Sequence, residues 1–256
     1  MKFMVSTLQI LILSIVQGIT EWFPVSSSGH LAILQNIFGF QNLAFDVFLH
    51  LASILAVLFV FKKEIADIFH FSDKKNIEYL LLLVIALIPA GIIGLMFKDQ
   101  IEGLFSNLFY IGIFFIISGI LIYSTKFFKQ KSEKIDFYDS VFIGILQAFA
   151  IFPGISRSGA TISGGLINGI KKETAVKFSF LMAIPIVLGA SVLELKDLAF
   201  SEIDYMLLVV SFVLTFIVSL FTIRVLLRIV KSDRFYLFGV YNFILGIIVV
   251  VWSFVR

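Results

Sequence analysis

"TEWFPVSSSGHLAIL", residues 20–34, lies within a run of apolar sequence. Pro24 forces its predecessor away from helix, and the serines and glycine behind it favour a turn. The run therefore reads as two pieces, 5–23 and about 27–39. A 13-residue helix is about 20 Å long, too short for a hydrocarbon core of about 30 Å. The pair is expected to be a re-entrant hairpin that enters and leaves a membrane on one side. Irregular backbone at that depth is tolerated only inside protein or beside a polar cavity.

The rest of the chain fits this setting. Its 256 residues are 60% hydrophobic with a mean hydropathy of +1.06, which excludes an ordinary soluble domain. Cysteine is absent, so neither a disulfide framework nor a thiolate metal site is expected. Lys2 opens an apolar run with no small-residue cleavage site behind it, so no removable leader is expected. Full spans are predicted at about 42–62, 77–97, 106–128, 175–195, 205–227 and 235–255. A second broken run, 139–152 and about 157–169, is interrupted by Pro153.

The chain also repeats. A shift of 130 positions superposes Gln17 on Gln147, Ser26 on Ser156, Ser28 on Ser158 and Gly29 on Gly159. Each half, about 1–130 and 131–256, is then one hairpin plus three spans. Three spans reverse sidedness, so the halves are inverted within one membrane domain, with a site expected at their interface. The fold expected is an all-α polytopic membrane protein of six transmembrane helices and two re-entrant helical hairpins. If both termini share a side, 15 of the 20 basic residues fall on the other: Lys62, Lys63, Lys74, Lys75, Lys126, Lys129, Lys131, Lys134, Lys171, Lys172, Lys177, Arg224, Arg228, Lys231 and Arg234. Lys2, Lys98, Lys196 and Arg256 remain on the terminal side. The positive-inside rule then places both termini outside.

The groups able to do chemistry gather at the two breaks. Gln17 and Glu21 are four apart and share a helix face. A carboxylate that deep is costly unless paired or functional; a plain structural glutamate would be bonded to a serine or to backbone. Ser26, Ser27 and Ser28 exceed what helix capping needs, and a helix start offers free N–H groups to a phosphate. His30, on the next turn, suits acid–base work. At the second break, "FPGISRSGATI" (152–162), Arg157 stands between Ser156 and Ser158. Its planar fork matches phosphate oxygens, and its alternative role is an ion pair with Glu21. Thr161 adds a hydroxyl four residues on, and Gly154 and Gly159 permit close backbone approach. Asp46 and His50, also four apart, are expected to form a structural pair. His70 is expected in solvent, and Asn168 at its helix end. The set binds an anion with removable oxygens. Phosphate fits best, and the membrane implies that a lipid carries it.

These motifs resemble a known family. "QGITEWFPVSSSGHL" (17–31) is similar to the first signature of the undecaprenyl-diphosphate phosphatase family, the BacA/UppP type, and "PGISRSGAT" (153–161) to its second. "KFSFLMAIPIVLGA" and "LLRIV" extend the similarity. Gln17 is the less acidic of two residues in that pattern, and Asn242 in "VYNFILG" stands where arginine is expected. The resemblance implies hydrolysis of undecaprenyl diphosphate to the monophosphate on the outer face of a bacterial inner membrane, and with it bacitracin resistance. It implies a divalent cation, Mg²⁺ or Ca²⁺, with Glu21 and Gln17 as oxygen donors. Ser27 is expected as nucleophile, with His30 or water as rivals, Glu21 orienting His30 or holding metal, and Arg157 gripping phosphate. Gln17, Ser26, Ser28, Gly29, Gly154, Ser156, Ser158 and Thr161 would complete the substrate site. The partners expected are a lipid-linked diphosphate and membrane lipids, with no nucleic acid and with room for a homo-oligomer. A flippase of polyprenyl phosphate is the second reading, since opposed hairpins also occur in transporters. A channel is disfavoured because no charged ring lines a candidate pore.

Overall fold

The computed structural model describes residues 6–39, 42–70, 72–194 and 203–255. These form twelve α-helices: α1 (Thr7–Thr20), α2 (Ser27–Phe38), α3 (Leu43–Val60), α4 (Lys62–Ile68), α5 (Lys74–Met96), α6 (Lys98–Leu104), α7 (Leu108–Ser124), α8 (Phe137–Phe149), α9 (Arg157–Ile167), α10 (Lys172–Glu194), α11 (Tyr205–Lys231) and α12 (Tyr236–Val255). A 3₁₀ turn, Thr125–Phe127, extends α7. The protein is an all-α polytopic membrane protein. Five helices or helix extensions are long and apolar enough to cross a membrane, and α3 with α4 makes a sixth, bent, candidate. That pair turns by 77° around Phe61, where Lys62, Lys63 and Glu64 end the apolar run. The short α4 begins at Lys62, the last residue of a predicted span, and α6 at Lys98, just past the next one. Lys2, Lys196 and Arg256 lie outside the described residues.

Both broken runs are hairpins. Ile10 and Leu13 of α1 pack with Leu31 and Leu34 of α2 and with Phe45 and Leu49 of α3, so α1 starts near where α2 ends. Asn168, at the end of α9, donates to Asp139 Oδ1 at 2.9 Å and closes the base of the second hairpin against the start of α8. That base lies at the basic end of the molecule. Lys131 N–H bonds Gly169 O, Lys171 pairs with Glu133 at 2.5 Å, and Lys172 pairs with Asp233. The end of α2, the start of α7 and the end of α12 meet elsewhere, around Asn36, Asn107 and Ser253.

Packing repeats between the halves. Helix α5 lies along α8 as α11 lies along α1, while α3 crosses α10 and α7 runs beside α12. The last pair approaches closely because glycine lines its seam. A Cβ on Gly119 would sit 2.7 Å from Gly239 O, and one on Gly239 would sit 2.5 Å from Tyr123 N. Small residues permit such backbone contact between apolar helices, where lipid gives no hydrophobic incentive to associate.

Candidate active site

The hairpin tips meet inside the protein, stitched by hydroxyls. Ser26 caps α2 by accepting from Gly29 N–H at 3.3 Å, and the same oxygen accepts from Gly154 N–H at 3.2 Å across the repeat. Ser156 caps α9 in the same way through Gly159 N–H at 3.0 Å. Ser158 donates to Phe23 O at 3.3 Å, and Asn242 to Pro24 O at 2.8 Å. Ser118 of α7 receives Ser156 N–H at 3.2 Å. So Asn242, whose role the sequence left open, holds the first break, and Ser118, which the sequence did not mark, holds the second.

Glycine is needed where the tips touch. Gly154 has φ +107, and a Cβ there would lie 2.5 Å from Ile111 O. A Cβ on Gly29 would lie 2.6 Å from the Phe115 ring and 3.0 Å from Gly154 Cα. Ser26 is not glycine yet has φ 64, a conformation that costs about 1–3 kcal/mol for such a residue. His30 helps to hold it. Its Nδ1 lies 2.8 Å from Ser26 O and its Nε2 2.7 Å from the Tyr241 hydroxyl, with the ring edge-on to Phe115. The sequence expected His30 beside Glu21. The structure turns its ring to the α12 side of the break and away from the cavity, because Ser26 O and Tyr241 take both nitrogens.

Ser27 and Arg157, the first residues of α2 and α9, are repeat-equivalent and converge on Glu21. Ser27 Oγ donates to Glu21 Oε2 at 2.6 Å, and Arg157 NH2 to Oε1 at 2.6 Å. Gln17 Nε2 donates to Oε2 at 3.0 Å, and His50 Nε2 lies 3.2 Å from that oxygen. The Arg157 guanidinium stacks over the Trp22 ring at 5.5 Å. Its NH1 is buried without a partner.

A cavity of about 250 Å³ opens onto this group. Glu21, Ser26, Ser27, Ser28, Ser156 and Arg157 line it, as do His50, Thr20 and Gln147, which the sequence reading had not assigned to the site. Its apolar wall includes Val47, Ala90, Phe105, Ile155 and Val187. The expected substrate-site residues Gln17, Gly29, Gly154, Ser158 and Thr161 stand behind the lining. Gln17 braces Glu21, while Thr161 donates to Arg157 O at 2.9 Å and meets Ser179 Oγ at 2.6 Å. Asp46 and His50 do not pair through their side chains. His50 Nδ1 lies 2.7 Å from the Asp46 carbonyl, and the Asp46 carboxylate accepts from Gln35 at 2.6 Å. His70 is exposed, as expected.

Fold and site together define a polytopic membrane protein with a buried polar centre, in which a hydroxyl and a guanidinium share one carboxylate at two helix starts. The chain belongs to the BacA family (bacitracin resistance protein BacA), whose pattern matches residues 10–248. It is 42% identical to the undecaprenyl-diphosphatase of Carboxydothermus hydrogenoformans, over 96% of this chain and 97% of that one. It is 44% identical to the undecaprenyl-diphosphatase of Methanococcus maripaludis, over 91% and 95%. With the same-named protein of Methanobrevibacter smithii the identity is 38%, over 96% and 97%.

Proposed function

We propose that this chain hydrolyses undecaprenyl diphosphate to undecaprenyl phosphate and inorganic phosphate. The observation that carries the chemistry is the Ser27–Glu21–Arg157 arrangement, in which Arg157 lines the cavity and keeps one buried guanidinium nitrogen, NH1, without a protein partner. Arg157 NH1 and the N–H groups at the two helix starts take the terminal phosphate. Ser27 Oγ attacks phosphorus and its proton passes to Glu21 Oε2. The bond from that phosphorus to the bridging oxygen breaks, and undecaprenyl phosphate leaves. Water then attacks the phosphoserine, and the departing serine oxygen regains the proton from Glu21. His30 supports the strained Ser26 turn instead of exchanging protons with substrate. The apolar wall suits the first prenyl units, and the lipid carrier so regenerated connects the activity to cell-wall synthesis and bacitracin resistance.

The side chains around Glu21 do not close a resident metal site. Both carboxylate oxygens already receive donors, Gln17 offers its NH₂ side, and among the described residues no cluster of three or more His, Asp or Glu could hold an ion. A divalent cation enters, on this reading, as counter-ion of the diphosphate, and no step is drawn through it.

The protein is one membrane domain of two inverted halves, with both termini outside a bacterial inner membrane. On this orientation the cavity, with Val47, Phe105 and Ser191 in its lining, lies towards the outer end, opposite the basic loops. With no native cysteine, one added after Arg256 will react with an impermeant thiol reagent in intact spheroplasts. Labelling only after lysis would reverse the orientation.

Purified protein in detergent micelles will release phosphate from undecaprenyl diphosphate. Micelles have no sides to cross, so binding without phosphate release would leave the flippase reading in place of this one.

A further inference from the structure

Glu21 and Arg157 are held in a one-pronged pair, which is not the arrangement that a free carboxylate and guanidinium choose. An unconstrained pair frequently forms two parallel N–H···O bonds, using both oxygens and two guanidinium nitrogens. Here NH2 meets Oε1 at 2.6 Å, while NH1 is buried with no partner. Something must keep Oε2 from turning onto NH1. Three groups hold that oxygen: Ser27 Oγ, Gln17 Nε2 and His50 Nε2. Ser27, on α2, gives up its hydrogen bond when it attacks, and Gln17 reaches Glu21 from its own helix, one turn back. His50, on α3, is the donor from another helix that the reaction does not consume.

His50 is fixed for this task. Its Nδ1 lies 2.7 Å from the Asp46 carbonyl, an acceptor, so Nδ1 carries hydrogen and the ring is anchored to α3. With Nδ1 already carrying a hydrogen, Nε2 donates to Glu21 Oε2, 3.2 Å away at the cavity wall, with the ring as imidazolium.

We propose that His50 is a positioning residue: it holds Glu21 Oε2 towards Ser27 and so keeps Arg157 NH1 open for phosphate. This rests on the phosphatase reading above. Without His50 the carboxylate rotates onto both guanidinium nitrogens. That single movement withdraws the proton acceptor from Ser27 and the binding fork from substrate. His50 thereby prevents the resting ion pair from becoming an internal inhibitor.

The inference separates His50→Leu from His50→Gln, whose amide N–H can still reach Oε2. His50→Leu will lower kcat by about a hundredfold, the order of loss that a 1 Å misplacement of a reacting group causes. It will also raise KM. His50→Gln will recover most of both. A binding arm needs no turnover. In a Trp252→Phe background, Trp22 under the Arg157 guanidinium reports inorganic phosphate by fluorescence. His50→Leu will weaken phosphate about tenfold, equivalent to about 1.4 kcal/mol. Adding Glu21→Gln to His50→Leu will restore phosphate affinity while leaving the enzyme inactive, because the competing carboxylate is gone. Wild-type turnover, measured first, tests the phosphatase reading separately. His50→Leu with wild-type phosphate affinity and turnover within about threefold would overturn the positioning role, that ratio being well under 1 kcal/mol. So would a His50→Leu/Glu21→Gln double variant that binds phosphate no better than His50→Leu.

Discussion

Ser27→Ala will lose turnover by about a thousandfold or more, the scale on which removal of a nucleophile acts. It will still bind the diphosphate. The expectation follows from what Ser27 does and does not support. It is the first residue of α2, but Ser26 is the cap, so the helix start survives and alanine suits a helix. The Ser27 hydroxyl bonds Glu21 Oε2 at 2.6 Å, which makes it the hydroxyl with a proton acceptor already in place. Arg157 NH1 and the helix-start N–H groups remain, so Trp22 fluorescence will still respond to substrate. Steady-state phosphate release checks the first half of this expectation and the fluorescence titration the second. Substantial turnover by Ser27→Ala would hand the attack to water, and the three serines would be left as capping and phosphate-binding hydroxyls.

Arg157→Lys will be nearly as damaging although charge is kept, with kcat/KM falling by about 10²–10³, as for loss of one oriented donor to developing charge. The guanidinium has two terminal nitrogens in one plane: NH2 holds Glu21 Oε1, and NH1, buried without a protein partner, is left for the phosphate on the proposed reading. An ammonium has three N–H groups but on one nitrogen, and cannot reproduce the spacing of the two guanidinium nitrogens. It also loses the face-on contact with Trp22. Glu21 would keep a cation nearby, so the fold should persist, and thermal unfolding in detergent should change little beside the activity. Turnover near that of the wild type would reject the two-partner role.

Much of this site could be read in the sequence because it depends on local rules. Pro24 and Pro153 stop helices wherever they occur, and the pieces behind them are too short to span. A shift of 130 positions is enough to see that Ser26 and Ser156, or Ser28 and Ser158, hold equivalent places. Glu21, Ser27 and Arg157 were chosen as polar groups at membrane depth, and the two hairpin tips bring them together. What escaped depended on how helices cross. His50 looked local because Asp46 is four residues back. Only the approach of α3 to α1 shows that its outer nitrogen reaches Glu21 while its inner one takes a backbone carbonyl. His30 looked close to Glu21 in number. It begins about 4.5 Å further along the helix than Ser27, and Tyr241 on α12 draws its ring aside. Asn242 stood out only as a departure from the resembled pattern and Ser118 not at all, since a single buried amide or hydroxyl in an apolar helix reveals nothing of the loop that it holds. The bend at Phe61 follows the charges after it, but nothing local in the sequence gives its 77° angle, with which Phe61 and Ile68 both join the core.

The central claim is that Ser27 attacks phosphorus with Glu21 receiving its proton. Its most direct test is rapid acid quenching of the purified enzyme with undecaprenyl diphosphate labelled in the terminal phosphate, followed by peptide mapping. The account predicts label on Ser27 that rises and falls within a turnover, and none in Ser27→Ala. Label on His30, or steady turnover with no labelled peptide at any quench time, would contradict it.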